Sequence, residues 1–328
     1  MSSHRTRAVS WVAGLAVAAT IGLVPSAPAQ AEPDIDDVQA KVDRLFREAD
    51  EASERYNDAR LELKHLRKDV GSLSTDEQRE KRSLGRVRED VRDSILRQYS
   101  GSGLGAFGQV ISSGDPGELL TQMSTISAYQ GIQQGVLEEY QDGLKELRLR
   151  SGATERRATQ VAATKRRLGE EKQTVSDKLS EAETLLDRLK DEEREEILSR
   201  GSDVRAPSNV PVSGRAGAAI GYAMGKTGNA YVYGAAGPSA FDCSGLTMMA
   251  WRQAGVSLPH SSSAQYSSGT RVAASDLQPG DLVFYYSPIS HVGMYIGNGM
   301  IVHAANPSTG VRVAPLYSMP YVGAVRPG

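Results

Sequence analysis

The only cysteine of the chain, Cys243, is the residue best suited to covalent chemistry. It lies in the segment 241–245 (Phe-Asp-Cys-Ser-Gly), at the start of a predicted helix over residues 242–254. Unpaired N–H groups and the dipole at a helix N-terminus stabilise a thiolate, and a lowered thiol pKa makes a cysteine nucleophilic. The ordinary alternative for an unpaired cysteine is a small buried hydrophobic residue. Its neighbours favour a nucleophile at Cys243.

A cysteine nucleophile needs an imidazole base and a third group that orients the base. Three histidines lie in the same part of the chain: His260, His291 and His303. His291 begins one predicted strand, and His303 lies on the next strand, across the turn at residues 297–299. A short hairpin loop there predicts that His291 and His303 are directly opposite, with Cβ atoms ~5 Å apart. The composition by itself leaves a zinc site open.

The elements that must position these groups are predicted in the last 117 residues, with helices first and strands after them. Residues 216–226 and 242–254 are predicted helices, with Asp242 as the N-cap of the second and Gly255 after its end. Runs rich in β-branched and aromatic residues predict strands of an antiparallel sheet; they are residues 281–286, 291–296, 300–304, 311–313 and 321–325. Helices followed by strands indicate an α+β fold.

Two long helices are predicted ahead of this region. Apolar residues from Val38 to Leu73 recur at alternating spacings of four and three, the pattern of a coiled-coil seam. A second seam runs from Tyr140 to Leu189, with Lys165 and Lys172 interrupting it. The Gly/Pro-rich segment 100–117 separates the two seams and predicts a chain reversal. The sequence therefore predicts an antiparallel helical hairpin, its first helix about 90 Å long.

The hairpin has two interpretations, and the sequence leaves both open. It is either a spacer or oligomerisation stalk, or a rod that docks a partner or covers the downstream domain. Residues 32–211 hold 30 Lys and Arg against 37 Asp and Glu, whereas residues 212–328 hold six against three. An acidic rod beside a basic domain is compatible with covering, although salt screens such attraction.

The sequence also predicts where the protein goes and how it is divided. A basic start, an apolar run from Trp11 to Val24 and the site Ala29-Gln30-Ala31 predict a cleaved signal peptide. The run is shorter than a membrane-spanning helix, so we expect a secreted, soluble protein of the cell wall or extracellular space. The predicted divisions are 1–31 signal peptide, 32–200 coiled-coil hairpin, 201–215 linker and 216–328 catalytic domain. The net charge of −2 argues against nucleic-acid binding, and one cysteine excludes an intramolecular disulfide.

Four motifs in order closely resemble the NlpC/p60 cell-wall cysteine peptidases. They are residues 231–246 (YVYGAAGPSAFDCSGL), 258–265 (LPHSSSAQ), 277–284 (LQPGDLVF) and 291–297 (HVGMYIG). The resemblance covers about residues 216–328. The helical hairpin is similar to that of exported peptidoglycan hydrolases that carry this domain at their C-terminus.

The resemblance implies a papain-like α+β fold and a DL-endopeptidase that cuts stem peptides of peptidoglycan between D-isoglutamate and the diamino acid. By motif, Cys243 is the nucleophile, His291 the general base and His303 the residue that orients it. Tyr231 matches the tyrosine placed near the oxyanion. No metal or organic cofactor is expected. The resemblance further suggests that a membrane-bound cell-division complex acts on the coiled coil.

Two further positions match residues that contact the L-Ala-D-Glu end of the substrate, namely Asp242 and Ser244. Their alternative roles are an N-cap and a first-turn residue. The chain departs from the family pattern at Ala230, usually Pro, at Ala235, usually Gly, and at His260, often Arg, whose role stays open.

Two other functions are compatible with the same motifs. One is a thiol acyltransferase or amidase on the same fold, which would need an apolar channel. The other is a structural adaptor whose enzyme domain has lapsed. The intact set of Cys243, His291 and His303 argues against the second.

Overall fold

The computed structural model of the protein describes residues 35–99, 116–189, 191 and 214–328. The predicted signal peptide, most of the segment 100–117 and residues 201–213 of the predicted linker lie outside the described residues. No helix among the described residues combines the length and apolarity that crossing a membrane requires.

Two long antiparallel helices form the N-terminal part, as predicted. Helix α1 spans Ile35–Tyr99 and helix α2 spans Pro116–Leu186. Ion pairs between the two helices show that they are antiparallel. Lys41, near the start of α1, pairs with Glu181 near the end of α2, and Asp69, later in α1, lies 3.8 Å from Arg157, earlier in α2. At 1.5 Å per residue α1 is about 95 Å long, so the hairpin is a rod.

The predicted seam is the apolar core of this hairpin. Val42, Ala49 and Ala52 are almost completely buried, and Val38 and Leu45 are also buried. At the open end of the hairpin, α1 packs against Ala182 and Leu186 of α2. The ion pairs between the helices are largely exposed and each contributes little to stability, so the seam holds the hairpin together.

The C-terminal part is an α+β domain, as predicted. Its helices are α3 (Gly214–Met224), α4 (Cys243–Gln253) and the short α5 (Ser262–Gln265). Two short strands, β1 (Ala230–Tyr231) and β2 (Ala240–Phe241), pair in parallel. Six further strands form one antiparallel sheet in the order β3-β8-β4-β5-β6-β7; they are β3 (Thr270–Val272), β4 (Leu282–Tyr285), β5 (His291–Gly297), β6 (Met300–Ala304), β7 (Val311–Pro315) and β8 (Tyr321–Arg326).

The core lies between α3 and α4 and one face of this sheet. Leu246 of α4 and the alternate strand residues Leu282, Phe284 and Met294 are fully buried there. Because side chains alternate along a strand, the intervening residues, such as Val283, pack on the other face. Helix α4 lies against β5 and β6, so it brings Cys243 to the two strands that carry the histidines.

The register of β5 and β6 differs from the prediction that placed His291 directly opposite His303. Met294 lies opposite Val302, so the strands are shifted by two residues relative to that prediction. His291 and His303 are therefore diagonal neighbours. Because side chains alternate with a period of two, the shift leaves both histidines on the same face.

The turn and a bulge set the observed register. Asn298 and Gly299 have φ angles of 54° and 70°, the positive values that a two-residue type I′ turn requires at both central positions. The two-residue loop pairs Gly297 with Met300, and a bulge between Tyr295 and Gly297 then brings Met294 opposite Val302.

Candidate active site

Cys243 is the first residue of α4, and Asp242 is the N-cap, as predicted. The Asp242 carboxylate accepts a hydrogen bond from the backbone N–H of Gly245 at 2.5 Å. A Cβ at Gly245 would lie 2.2 Å from the backbone oxygen of Ala235, so only glycine allows the loop to approach the helix this closely. The local sequence thus fixes where the thiol sits.

The two histidines predicted on adjacent strands meet beside this thiol. Nε2 of His291 lies 2.8 Å from Nδ1 of His303, with the rings perpendicular. A ring nitrogen of His291 and Sγ of Cys243 lie within 4.8 Å of each other. The structure therefore brings the predicted nucleophile, base and orienting residue together.

The protonation of His303 suits an orienting role. Burial, followed by the neighbouring His291 and Arg312, lowers the pKa of His303 well below its ordinary value. A neutral His303 can accept the Nε2–H of His291 at its own Nδ1, which leaves the other ring nitrogen of His291 free to accept the thiol proton. His303 then carries its proton on Nε2, which has no hydrogen-bond partner among the described residues.

Tyr231 lies in the same cleft, as predicted, and its ring meets that of Tyr233 edge to face at 4.9 Å. Burial and then the charges of Asp50 and Cys243 raise the pKa of Tyr231 well above its ordinary value. The hydroxyl therefore keeps its proton and acts as a hydrogen-bond donor. In this structure it donates to the carboxylate of Asp50.

Asp242 organises the loops on the other side of the thiol. Its carboxylate accepts the N–H of Gly234 at 2.9 Å and lies 2.8 Å from Nε2 of His260. Burial by itself lowers the pKa of His260, but the hydrogen bond and charge of Asp242, together with Glu54, outweigh burial and raise it. His260 thus contacts and supports Asp242, and Asp242 is the N-cap of α4.

Sequence reasoning missed the acidic face of α1, which covers this cleft. Asp50 of α1 lies 3.1 Å from Nδ1 of His291, and Glu54 lies 3.8 Å from Sγ of Cys243. Asn57 donates to Asp242 at 3.2 Å. Asp50, Glu54 and Asn57 are separated by four and then three residues, so they lie on one face of α1, next to the apolar seam. This spacing in the sequence was a signal for a second buried face of the helix.

Glu54 fills a cradle of hydrogen-bond donors. Its carboxylate accepts from the Oγ–H of Ser244 at 2.8 Å and from both the N–H and the Oγ–H of Ser262, the latter at 2.7 Å. Burial, then the charge of Asp242, raises the pKa of Glu54 to about 7 despite these hydrogen bonds. Ser244, a predicted substrate-binding residue, thus contacts the carboxylate of Glu54. Ser262 contacts the same carboxylate, and the sequence analysis did not identify it.

The expected lowering of the Cys243 pKa is absent in this closed arrangement. Burial, followed by the charges of Asp50, Glu54 and Asp242, raises the pKa of Cys243 well above its ordinary value. The helix N-terminus is present, but desolvation and three nearby carboxylates outweigh it. Two of these carboxylates belong to α1, so this pKa depends on where α1 lies.

One group of side chains in the described residues has metal-ligand chemistry. Asp50, Cys243 and His291 each offer a ligand atom within 4.8 Å of the others, a set of donor types that suits zinc. Asp50 completes the group only while α1 is in place, whereas the cysteine–histidine arrangement is intrinsic to the C-terminal domain.

Comparison with known proteins identifies the C-terminal domain. Residues 228–324 match the model of the NlpC/P60 family. A probable endopeptidase of Corynebacterium glutamicum is 47% identical over 124 residues, which are 38% of this chain and 59% of the relative. The probable endopeptidase p60 of Listeria monocytogenes is 52% identical over 87 residues, 26% of this chain and 18% of the relative. The matched part thus spans less than two thirds of these relatives.

Among solved structures, the chain is similar to an NlpC/P60 family protein from Bacillus cereus, with 30% identity and a TM-score of 0.33. That match covers 38% of this chain and 43% of the other chain.

Proposed function

The C-terminal domain belongs to the NlpC/P60 family, and on this basis we propose that the protein is a peptidoglycan hydrolase of the cysteine endopeptidase type. Its substrate is the stem peptide, and the bond cut is that between D-isoglutamate and the diamino acid. The observation that carries the proposal is the meeting of Cys243, His291 and His303 at one end of α4. The predicted signal peptide supports action outside the cell.

The chemistry follows from these groups. The Cys243 thiolate attacks the γ-D-glutamyl carbonyl, and the backbone N–H of Cys243 together with the Tyr231 hydroxyl stabilises the oxyanion. His291, as an imidazolium, protonates the leaving amine, and a thioester remains on Cys243. His291 then takes a proton from water, which attacks the thioester and releases the γ-D-glutamyl product.

We further propose that α1 holds this enzyme in a closed, inactive state. An ionised Asp50 can only accept hydrogen bonds, so its contact with His291 requires a proton on Nδ1 and removes the lone pair that would accept the thiol proton. Glu54 accepts the hydrogen bonds that Ser244 and Ser262 donate, and Asp50 accepts the one that the Tyr231 hydroxyl donates, so these donors are not available to substrate. Substrate therefore needs α1 to be displaced, and a membrane-bound cell-division complex acting on the coiled coil is the release mechanism that the resemblance suggests.

The test of the catalytic proposal is cleavage of defined muropeptides, with products identified by mass. We use a release variant, Asp50→Ala with Glu54→Ala, which removes both acidic groups from the cleft. It is expected to cleave, and adding Cys243→Ala is expected to abolish cleavage without changing the circular dichroism. Full activity in a folded protein without the thiol would refute the assignment. Acyl transfer to an added amine in place of hydrolysis would favour an acyltransferase.

The test of the closed state compares the release variant with the wild-type chain on the same soluble muropeptide. Glu62→Ala is the matched control, because Glu62 is also an acid of α1 but pairs with Arg167 of α2 in an exposed position. We expect faster cleavage by the release variant and no change in the control. Equal rates in all three proteins would exclude inhibition by α1.

A further inference from the structure

A cavity remains open in the closed cleft, beside the two histidines. Its volume is about 260 Å³, near the lower end of small-molecule sites (~300 Å³). Its charged and titratable lining residues include Asp43, Arg47 and Asp50 from α1, and His291, His303 and Arg312 from the C-terminal domain. Cys243 and the serines that hold Glu54 do not line it, so it is separate from the cradle that α1 fills.

The position of this cavity relates it to the leaving group of the proposed reaction. The amine that leaves must come within hydrogen-bond reach of His291, which gives it a proton. The acyl part of the substrate remains on the thiol, next to α4 and its Ser244. The diamino acid that carries the leaving amine therefore extends on the side of His291 and His303, where the cavity lies.

The two sides of the cavity differ in charge: α1 contributes the acids Asp43 and Asp50 together with the cation Arg47. Arg312 is the permanently charged cation that the C-terminal domain contributes, and none of the described residues that this domain places around the cavity is acidic. The domain has few acids to contribute, since residues 212–328 contain only Asp242, Asp276 and Asp281. The acidic residues of the lining, Asp43 and Asp50, belong to α1.

Asp43 and Arg312 line the same cavity, and the charge of each acts on the other. Burial raises the pKa of Asp43, and the charges of Arg47 and Arg312 oppose that rise. Burial lowers the pKa of Arg312, and the charge of Asp43 opposes that in turn. Displacement of α1 takes Asp43 and Arg47 away together, and the described residues that the C-terminal domain places around the cavity include no acid.

His303 adds a second donor next to this guanidinium. His303 and Arg312 are directly opposite on β6 and β7, so their side chains share a face of the sheet. The Nε2 of His303 is buried and has no hydrogen-bond partner among the described residues. When α1 is displaced and Nδ1 of His303 accepts the Nε2–H of His291, Nε2 of His303 carries the proton and can donate to an anion.

Resting on the proposed peptidase function, we propose that Arg312 binds a carboxylate on the side chain of the diamino acid that leaves. A guanidinium binds a carboxylate through two parallel hydrogen bonds, which lysine-type side chains of a stem peptide cannot form. The enzyme is therefore selective for diaminopimelate, whose side chain ends in a carboxylate, over lysine. Asp43 takes the place of that carboxylate in the closed state.

The experiment measures selectivity, because Arg312 also faces α1 and its substitution changes closure. The ratio of kcat/KM between two substrates cancels the fraction of molecules that are open. All variants are made in the full-length release variant. The substrates are stem tetrapeptides ending in D-Ala that differ in the third residue: diaminopimelate, diaminopimelate with its side-chain carboxylate amidated, and lysine.

We expect the release variant to prefer the diaminopimelate peptide over both others by about 10- to 100-fold, the range for a charge-assisted hydrogen-bond pair. Arg312→Gln should reduce that preference to within about twofold, and Arg312→Lys should keep part of it. Asp43→Asn is the matched control, since it removes the charge of α1 that acts on Arg312 and should leave the preference unchanged.

The outcomes separate this inference from the function on which it rests. Cleavage with an unchanged preference in Arg312→Gln overturns the role of Arg312 and leaves the peptidase assignment intact. An equal loss of preference in Asp43→Asn assigns the effect to α1 and also overturns it. No cleavage of any peptide by the release variant overturns the proposed function, and the inference with it.

Discussion

The carboxyl group of Glu54 makes closure by α1 dependent on pH. Burial and the charge of Asp242 raise its pKa from the ordinary 4.5 to about 7 in the closed state. When α1 leaves, the group returns to water and to an ordinary pKa. The closed state thus binds a proton more tightly than the open state, so protonation favours closure.

The pH range and the size of the effect on closure follow from this difference in the pKa of Glu54. Because the pKa is raised in the closed state, its contribution to closure is complete below pH 4.5, declines as the pH rises, and is lost above about pH 7. At about 1.4 kcal/mol for each tenfold change, the difference in pKa corresponds to about 3 to 4 kcal/mol, or roughly 300-fold in the closed-to-open equilibrium. The wild-type protein is expected to open as the pH rises through this window.

The single thiol of the chain provides a direct assay. Cys243 is fully buried in the closed state, so its rate of alkylation by iodoacetamide reports the open fraction. Glu54→Gln is the matched variant, because an amide has nearly the shape of the protonated carboxyl group and does not ionise. The ratio of wild-type to variant rates cancels the ionisation of the thiol itself.

We expect this ratio to be near one at pH 4.5 and to rise by up to about 300-fold by pH 8. Glu54→Ala should react faster than both proteins at low pH, since it lacks the contacts with Ser244 and Ser262. Parallel pH profiles for the wild type and Glu54→Gln would refute the argument, because they would show that this carboxyl group does not titrate on opening.

Three further predictions concern the catalytic groups and are measured in the release variant. His303→Ala should lower kcat by about 10²- to 10⁴-fold, whereas His303→Asn, which keeps an acceptor for Nε2–H of His291, should recover part of the loss; equal losses would exclude an orienting role. Tyr231→Phe should lower kcat by about 10- to 100-fold with little change in KM if its hydroxyl contacts the oxyanion, and an unchanged kcat would remove it from that role. Gly293→Ala would place a Cβ 2.9 Å from Cδ1 of Ile301 and 3.3 Å from Cβ of His303. It should therefore lower kcat at least tenfold and lower the free energy of unfolding, measured by urea titration, by about 1–3 kcal/mol. A wild-type kcat in this variant would show that His303 tolerates displacement.

Local patterns determined most of what the sequence predicted correctly. The α+β order, the five strands and the N-cap Asp242 follow from periodicity, β-branched runs and capping, which act over a few residues. The hairpin of α1 and α2 follows from one repeated spacing. The predicted register of β5 and β6 was wrong by two residues, because pairing His291 with His303 places residue 296 opposite residue 298, inside the turn, whereas the strands that leave the turn at Asn298 and Gly299 pair Gly297 with Met300.

Tertiary structure alone decided the state of the active site. Cys243, His291 and His303 could be named from their types and motifs, but the pKa of the thiol could not, because α1 comes from nearly 200 residues earlier in the chain. Asp50 and Glu54 look like any solvated charges of a coiled coil until they are desolvated against the cleft. A carboxylate changes a neighbour's ionisation only when both are brought together out of water, and that proximity is a property of the fold.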